Sequence, residues 1–180
     1  MRRDIVFRIF PMADPDGVVL GGVRYNQNGY DLNRNWDLHD PVRMPEIAAQ
    51  KSAVRKWLEA GRRIDLFLTL HNTESSEYIT GLPESAPSRQ RKVLAEFDRR
   101  LREETDFSPS RQPEDPGIST TPGKPGRVSV YQAMVHEFGI AGFLMEQRVQ
   151  HNPKLGRVPL AEDRIRFGRQ LARACGAAVR

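Results

Sequence analysis

Two short runs of almost continuous apolar residues constrain the fold of this chain more than any other feature of its sequence. Residues 64–70 (IDLFLTL) and 140–145 (IAGFLM) are too short for helices and are bounded by polar residues. Such runs are typical of strands covered on both faces, which occur in sheets flanked by helices. A titratable residue follows each run, His71 after the first and Glu146 after the second, where α/β sheets bind ligands.

Segments with helical periodicity alternate with these strands. Pro45 opens an apolar period that ends before Gly61, which predicts a helix over about 45–60. Residues 88–104 predict a highly charged second helix, and Ser129 predicts the N-cap of a short helix that ends at Gly139. A last helix is predicted from about Pro159. Five apolar residues share one of its faces: Leu160, Phe167, Leu171, Ala174 and Ala178.

A further strand is predicted at residues 3–10, so that strand, helix and strand together form a βαβ unit. Residues 11–33 and 105–127 are rich in turn-forming residues and lack an apolar period, which predicts long loops. The fold class is therefore α/β, with a mixed, mostly parallel sheet flanked by helices. One domain over residues 1–180 is expected for a chain of this length.

Composition excludes several kinds of function. The net charge of +5 is spread along helices and interleaved with acids, which argues against nucleic-acid binding. Cys175 is the single cysteine, so a disulfide framework and a cysteine-based zinc site are excluded, and a core thiol is expected. Arg8 and Pro11 interrupt the apolar N-terminus, which predicts neither a signal peptide nor a membrane span. The compartment is open: cytoplasmic by default, secreted if an upstream signal was lost.

Each polar candidate also has a structural explanation. Taken alone, His71 is explained as a hydrogen-bonded histidine at a strand end. Glu146 is also explained by an ion pair with Arg148 or another arginine, and Arg24 and Arg34 by solvated charges on a loop. The functional interpretation depends on their combination.

Three segments carry a family resemblance. Residues 11–37 (PMADPDGVVLGGVRYNQNGYDLNRNWD) resemble the zinc carboxypeptidases of the carboxypeptidase A type, from their Pro-Asp-Gly turn to their Asn-Arg-Asn-Trp signature. Residues 64–72 (IDLFLTLHN) resemble the family's approach to its third zinc ligand, and residues 137–148 (EFGIAGFLMEQR) resemble its final core strand. The resemblance covers about residues 3–150, in the family's order.

The resemblance implies a reaction and its residues. His71 corresponds to a zinc ligand, and Glu146 to the general base that acts on zinc-bound water. Arg24 would polarise the scissile carbonyl and stabilise the oxyanion. Asn33 and Arg34 would hold the terminal carboxylate of a peptide substrate, and Tyr131 matches, more faintly, the substrate-capping tyrosine.

One departure from the family limits this expectation. The family's H-x-x-E motif, which supplies two zinc ligands, precedes the Pro-Asp-Gly turn, and nothing upstream of Pro11 provides it. The chain therefore resembles the C-terminal portion of the catalytic domain, with an incomplete zinc site. Glu74 is an alternative ligand, because His71 and Glu74 form an H-x-x-E of their own. The other candidates are His39, His136 and His151.

Two functions of different classes follow. The first is a zinc-dependent metallocarboxypeptidase, or a fragment of one, which removes C-terminal residues from peptides or proteins. The second is a catalytically inactive module that binds peptide C-termini without a complete zinc site. Neither involves nucleic acid or a membrane, and the oligomeric state and preferred C-terminal residue stay open.

Overall fold

The protein is described by a computed structural model, which covers residues 5–117 and 125–180. The helices are α1 (Pro15–Val19), α2 (Pro45–Glu59), α3 (Ser88–Glu104), α4 (Val130–His136) and α5 (Ala161–Ala178), and the strands are β1 (Phe67–Thr73), β2 (Tyr78–Ile79) and β3 (Gly142–Arg148). Residues Asp65–Gly117 and Gly139–Arg180 form one compact unit, the sheet unit. Residues 5–64 and 125–138 belong to a second, the loop unit. The single domain over 1–180 stays a prediction.

The sheet unit contains a three-stranded mixed sheet in the order β1-β3-β2. Strands β1 and β3 are parallel from the pair Phe67 and Gly142 to the pair Thr73 and Arg148. Strand β2 is antiparallel to β3. This is the mixed sheet flanked by helices that the sequence predicts.

The core of the sheet unit lies between one face of the sheet and two helices. Alternation along β3 directs Phe143 and Met145 to the same face, and both are fully buried. Phe97 of α3 stacks on Phe143 with ring centroids 6.0 Å apart, and Phe167 of α5 joins the same apolar cluster. Cys175 packs against this cluster, as expected, and burial raises the pKa of its thiol to about 12.

The predicted helices are present, but the limits of two of them differ from the prediction. Helix α4 begins after Ser129, whose N–H donates to Oε1 of Gln132 at 2.9 Å, but it ends at His136, three residues before Gly139. The last helix begins at Ala161, so Leu160 precedes it, and its side chain is exposed instead of lying on the buried face. The sequence also missed two short elements, α1 and β2.

The two main strands end later than their apolar runs. Strand β1 begins and ends three residues after the predicted limits, and β3 extends to Arg148. The reason is that β1 and β3 continue to pair through their polar residues, whereas an apolar run reports burial only. Leu70 is exposed, so cover on both faces is wrong for β1.

The prediction of a strand at residues 3–10 is wrong for residues 5–10, the part that the structure describes. Residues 5–10 form no strand, and no described residue pairs with them in a ladder. Val6 and Ile9 are exposed. A strand requires a hydrogen-bonding neighbour, which a local apolar pattern cannot supply. Residues 3 and 4 lie outside the described residues, and the predicted βαβ unit is not formed by residues 5–70.

A buried carboxylate anchors the predicted loop at 105–117 in the sheet unit. Glu77 is 2 % exposed, and its side chain accepts from the N–H of Ser108 at 2.7 Å and of Arg148 at 3.4 Å. Its backbone carbonyl accepts from the N–H of Ser110 at 2.9 Å. The loop is thereby attached to the end of β3, and its described part forms neither helix nor strand.

Replacing Glu77 by Ala is expected to lower the free energy of unfolding by about 1–3 kcal/mol, because the partly buried N–H groups of Ser108 and Arg148 lose their acceptor. Chemical denaturation measures this loss. Glu84→Ala is the matched control, since Glu84 is an exposed glutamate of the same unit. Equal midpoints for the two variants would contradict the anchoring role.

The loop unit is organised by a few buried polar and aromatic side chains. Oδ1 of Asn26 accepts from the N–H groups of Asn28 and Tyr30 at 3.1 and 3.0 Å. The indole N–H of the buried Trp36 donates to the carbonyl of Leu32 at 2.9 Å. The buried Lys51 of α2 donates to the carbonyl of Trp36 at 2.8 Å. These contacts fix residues 26–36 without regular secondary structure.

Among the described residues, no helix is long and apolar enough to cross a membrane.

Candidate functional site

His71 and Glu146 are brought together in the sheet unit. They are register partners on the parallel strands β1 and β3, so their side chains share one face of the sheet, about 5 Å apart along the hydrogen-bonding direction. Nε2 of His71 lies 3.0 Å from Oγ1 of Thr69, two residues earlier on the same face. The sequence predicts both residues after their strands, and the structure places both within them.

Glu146 lies in an environment that favours its protonated form. Its side chain is half-buried, and its Oε2 atom is buried with no hydrogen-bond partner among residues 5–117 and 125–180. Burial raises the pKa of Glu146. Arg148 does not supply the ion pair considered for it: its Nη1 donates to the carbonyl of His151 at 3.2 Å, and its buried Nε also has no partner in this part of the chain. A carboxylate with a raised pKa and an unused oxygen is suited to accept a proton.

The raised pKa of Glu146 gives a stability prediction whose sign can be worked out. A carboxyl group whose pKa is higher in the folded state costs stability above that pKa, and the cost vanishes below the unfolded pKa near 4.5. Glu146→Gln is therefore expected to raise the thermal unfolding midpoint at pH 7 but not at pH 4. A midpoint that falls at both pH values would contradict the desolvation of Glu146.

The loop unit holds the remaining predicted site residues. Arg24 is 58 % exposed, and its guanidinium pairs with Oδ2 of Asp31 at 3.0 Å from Nε and 2.7 Å from Nη2. The backbone of Arg24 has a φ of 126°, a region that side-chain-bearing residues rarely adopt. Strained residues of this kind cluster at functional sites.

Asn33 and Arg34 occupy the turn that follows. Oδ1 of Asn33 accepts from the N–H of Val130 at 3.2 Å, at the start of α4. Nη1 of the half-buried Arg34 donates to the carbonyl of Asn33 at 2.7 Å. Tyr131 is next to Val130 and is 5 % exposed. The substrate contacts assigned to these residues stay predictions.

The His, Cys, Asp and Glu side chains of the described residues do not complete a zinc site. No group of three or more His, Cys, Asp and Glu in the described part of the chain could hold a metal ion, whereas a catalytic zinc usually has three protein ligands. Glu74, His136 and His151 are exposed. Burial and the charge of Lys51 lower the pKa of His39. Among the described residues, His71 remains the ligand that the resemblance implies, and the other candidate ligands stay predictions.

The match with a family model is decisive for the relationship. The model described as zinc carboxypeptidase matches residues 1–122, which include the Asn-Arg-Asn-Trp segment and His71. The chain belongs to the zinc carboxypeptidase family.

Curated relatives in this family include cytosolic carboxypeptidases. The chain is 33 % identical over 79 residues to cytosolic carboxypeptidase 3 of Bos taurus, covering 44 % of this chain and 8 % of the relative. It is 38 % identical over 66 residues to cytosolic carboxypeptidase 1 of Homo sapiens, covering 37 % and 5 %. The matches thus span only a small part of these relatives.

Solved metallocarboxypeptidases have the same fold. The enzyme from Pseudomonas aeruginosa in complex with (2-guanidinoethylmercapto)succinic acid aligns with a TM-score of 0.71 at 20 % identity, over 93 % of this chain and 45 % of that one. The enzyme from Burkholderia cenocepacia aligns with a TM-score of 0.64 at 24 % identity, over 94 % and 41 %. The predicted family and fold class are confirmed, and the chain spans less than half of these structures.

The sequence did not single out Asp31 or Thr69 as residues of the site. Asp31 pairs with Arg24, and Thr69 contacts His71. Strand periodicity indicates that Thr69 shares a face with His71, because the two residues are two positions apart. Asp31 stands between Arg24 and Asn33 in the sequence, but its choice of partner depends on how the loop folds.

Proposed function

We propose that this chain carries the general base and the substrate-binding groups of a zinc-dependent carboxypeptidase, which removes C-terminal residues from peptides or proteins. The observation that carries the proposal is the register pairing of His71 with Glu146, whose buried Oε2 has no partner among the described residues. Glu146 is the general base that takes a proton from the attacking water. His71 is the metal ligand proposed for this chain.

The preference for a C-terminal residue follows from side chains of the loop unit. Arg34 presents a planar fork that matches a carboxylate with two parallel hydrogen bonds, and Asn33 adds an amide beside it. Arg24 faces the scissile carbonyl and stabilises the developing negative charge. A peptide with a free C-terminus is therefore expected to bind more tightly than one whose C-terminus is blocked.

Zinc in this family activates water and polarises the carbonyl. The described donors do not complete a zinc shell, and this observation favours a second candidate function, a module that binds C-termini without hydrolysis. Both candidates require recognition of the terminal carboxylate, and they differ in turnover.

The deciding experiment compares a short peptide with a free C-terminal carboxylate and the same peptide as its C-terminal amide. The native chain is expected to bind the acid more tightly, and Arg34→Lys to lower that preference about tenfold, because lysine keeps the charge but loses the bidentate fork. Arg173→Lys, at an exposed position of α5, is the control.

Three outcomes separate the candidates. Equal affinity for acid and amide contradicts both. Preference for the acid with turnover supports the enzyme. The same preference without turnover at any zinc concentration supports the binding module.

A further inference from the structure

Asp31 lies at the centre of the loop that carries the proposed substrate contacts. Its side chain is 15 % exposed, and each of its two oxygens accepts a hydrogen bond. Oδ2 binds the Arg24 guanidinium, and Oδ1 accepts from the N–H of Asn33 at 2.9 Å. The backbone carbonyl of Asp31 accepts from the N–H of Arg34 at 3.0 Å. One residue therefore contacts the guanidinium of Arg24 and the backbone N–H groups of Asn33 and Arg34.

We propose that Asp31 is a positioning residue, which orients Arg24 and fixes the turn at Asn33 and Arg34 before substrate binds. This inference rests on the proposed function. Asp31 itself is assigned no contact with substrate and acts through its three neighbours.

The geometry of the ion pair supports orientation of Arg24. Asp31 engages Nε and Nη2 of the guanidinium, and Nη1 has no hydrogen-bond partner among the described residues. Because the guanidinium is planar, holding two of its nitrogens fixes the direction of the third. Nη1 is thus the donor directed at a substrate carbonyl.

The exposure of Arg24 argues against a purely structural role for the pair. Ion pairs in which one partner is well exposed contribute little to folding, because water screens the charges and an ordered side chain loses entropy. An isolated turn could also be held by the contact between Oδ1 and Asn33 alone. The contact with Arg24 therefore adds orientation more than stability.

The test measures binding of the acid and amide peptides to variants of this chain. Asp31→Asn keeps an oxygen for the N–H of Asn33 but loses the charge that holds Arg24. It is expected to weaken binding of both peptides about fivefold, the worth of one hydrogen bond, with the preference for the acid unchanged. Asp31→Ala is expected to reduce that preference about fivefold as well, because the turn loses its acceptor.

A double substitution tests whether Asp31 acts through Arg24. Arg24→Ala is expected to weaken binding about fivefold in the native chain and less than twofold in the Asp31→Asn background. Asp40→Ala is the matched control, since Asp40 also accepts from the N–H two residues later, that of Val42, and pairs with an arginine, Arg43. It is expected to leave both affinities unchanged.

The outcomes distinguish this inference from the proposed function. If the native chain binds acid and amide equally, the proposed function fails and the inference fails with it. If the native chain prefers the acid but both Asp31 variants bind like the native chain, only the inference is overturned. Additive losses in the double variant also overturn it. Because Asp31→Asn is isosteric, it keeps the test valid should Asp31→Ala fail to fold.

Discussion

In a protein whose zinc site is complete, Glu146→Gln is expected to lower the rate of hydrolysis of a peptide with a free C-terminus by two to four orders of magnitude. The substitution keeps the size of the side chain but removes the carboxylate that accepts the proton, and general-base catalysis contributes a factor of this size. The measurement is kcat for the acid peptide, with zinc content determined on the same sample. Zinc content is expected to stay unchanged, because the proposed metal ligand of this chain is His71.

Glu162→Gln is the control for this experiment, since it makes the same chemical change at an exposed position of α5. A Glu146→Gln variant that turns over peptide at the native rate would remove Glu146 from the mechanism. A variant that loses activity together with its zinc would show that Glu146 acts on the metal instead.

Phe97→Ala is expected to lower the free energy of unfolding by about 3–5 kcal/mol, the cost of a large cavity in a packed core. Phe97 is fully buried, and its ring stacks on that of Phe143 within the apolar cluster of the sheet unit. The loss is a large fraction of the total stability of an ordinary domain. It is measured from the denaturation midpoint and slope in urea.

Lys92→Ala on the exposed side of the same helix is the control, and it is expected to change stability by less than about 0.5 kcal/mol. Similar losses for the two variants would place the core of the sheet unit elsewhere.

The sequence predicts the long elements of this protein well, because their determinants are local. Helix α2 begins at Pro45 and α3 ends at Glu104, as the apolar period and the flanking residues indicate. The strands are less well predicted, because their limits depend on partners. Residues 5–10 have an apolar pattern without a ladder, and β1 and β3 continue past their apolar runs because they pair with each other.

The candidate site shows the same division. The order of polar residues and apolar runs is sufficient to single out His71 and Glu146, but not to place them opposite each other, which depends on the register of β1 and β3. Similarly, the sequence singles out Arg24 as a substrate contact, but not its pairing with Asp31. Contacts between distant segments decide both features.

The backbone conformation of Arg24 lowers the stability of the fold, while its side chain is proposed to serve activity. A φ of 126° costs a residue with a side chain about 1–3 kcal/mol, whereas glycine adopts such angles readily. The exposed pair with Asp31 offsets at most about 1 kcal/mol of that cost. A directed-evolution screen for thermal tolerance alone would therefore select glycine at position 24, and every survivor would lack the guanidinium proposed to face the scissile carbonyl.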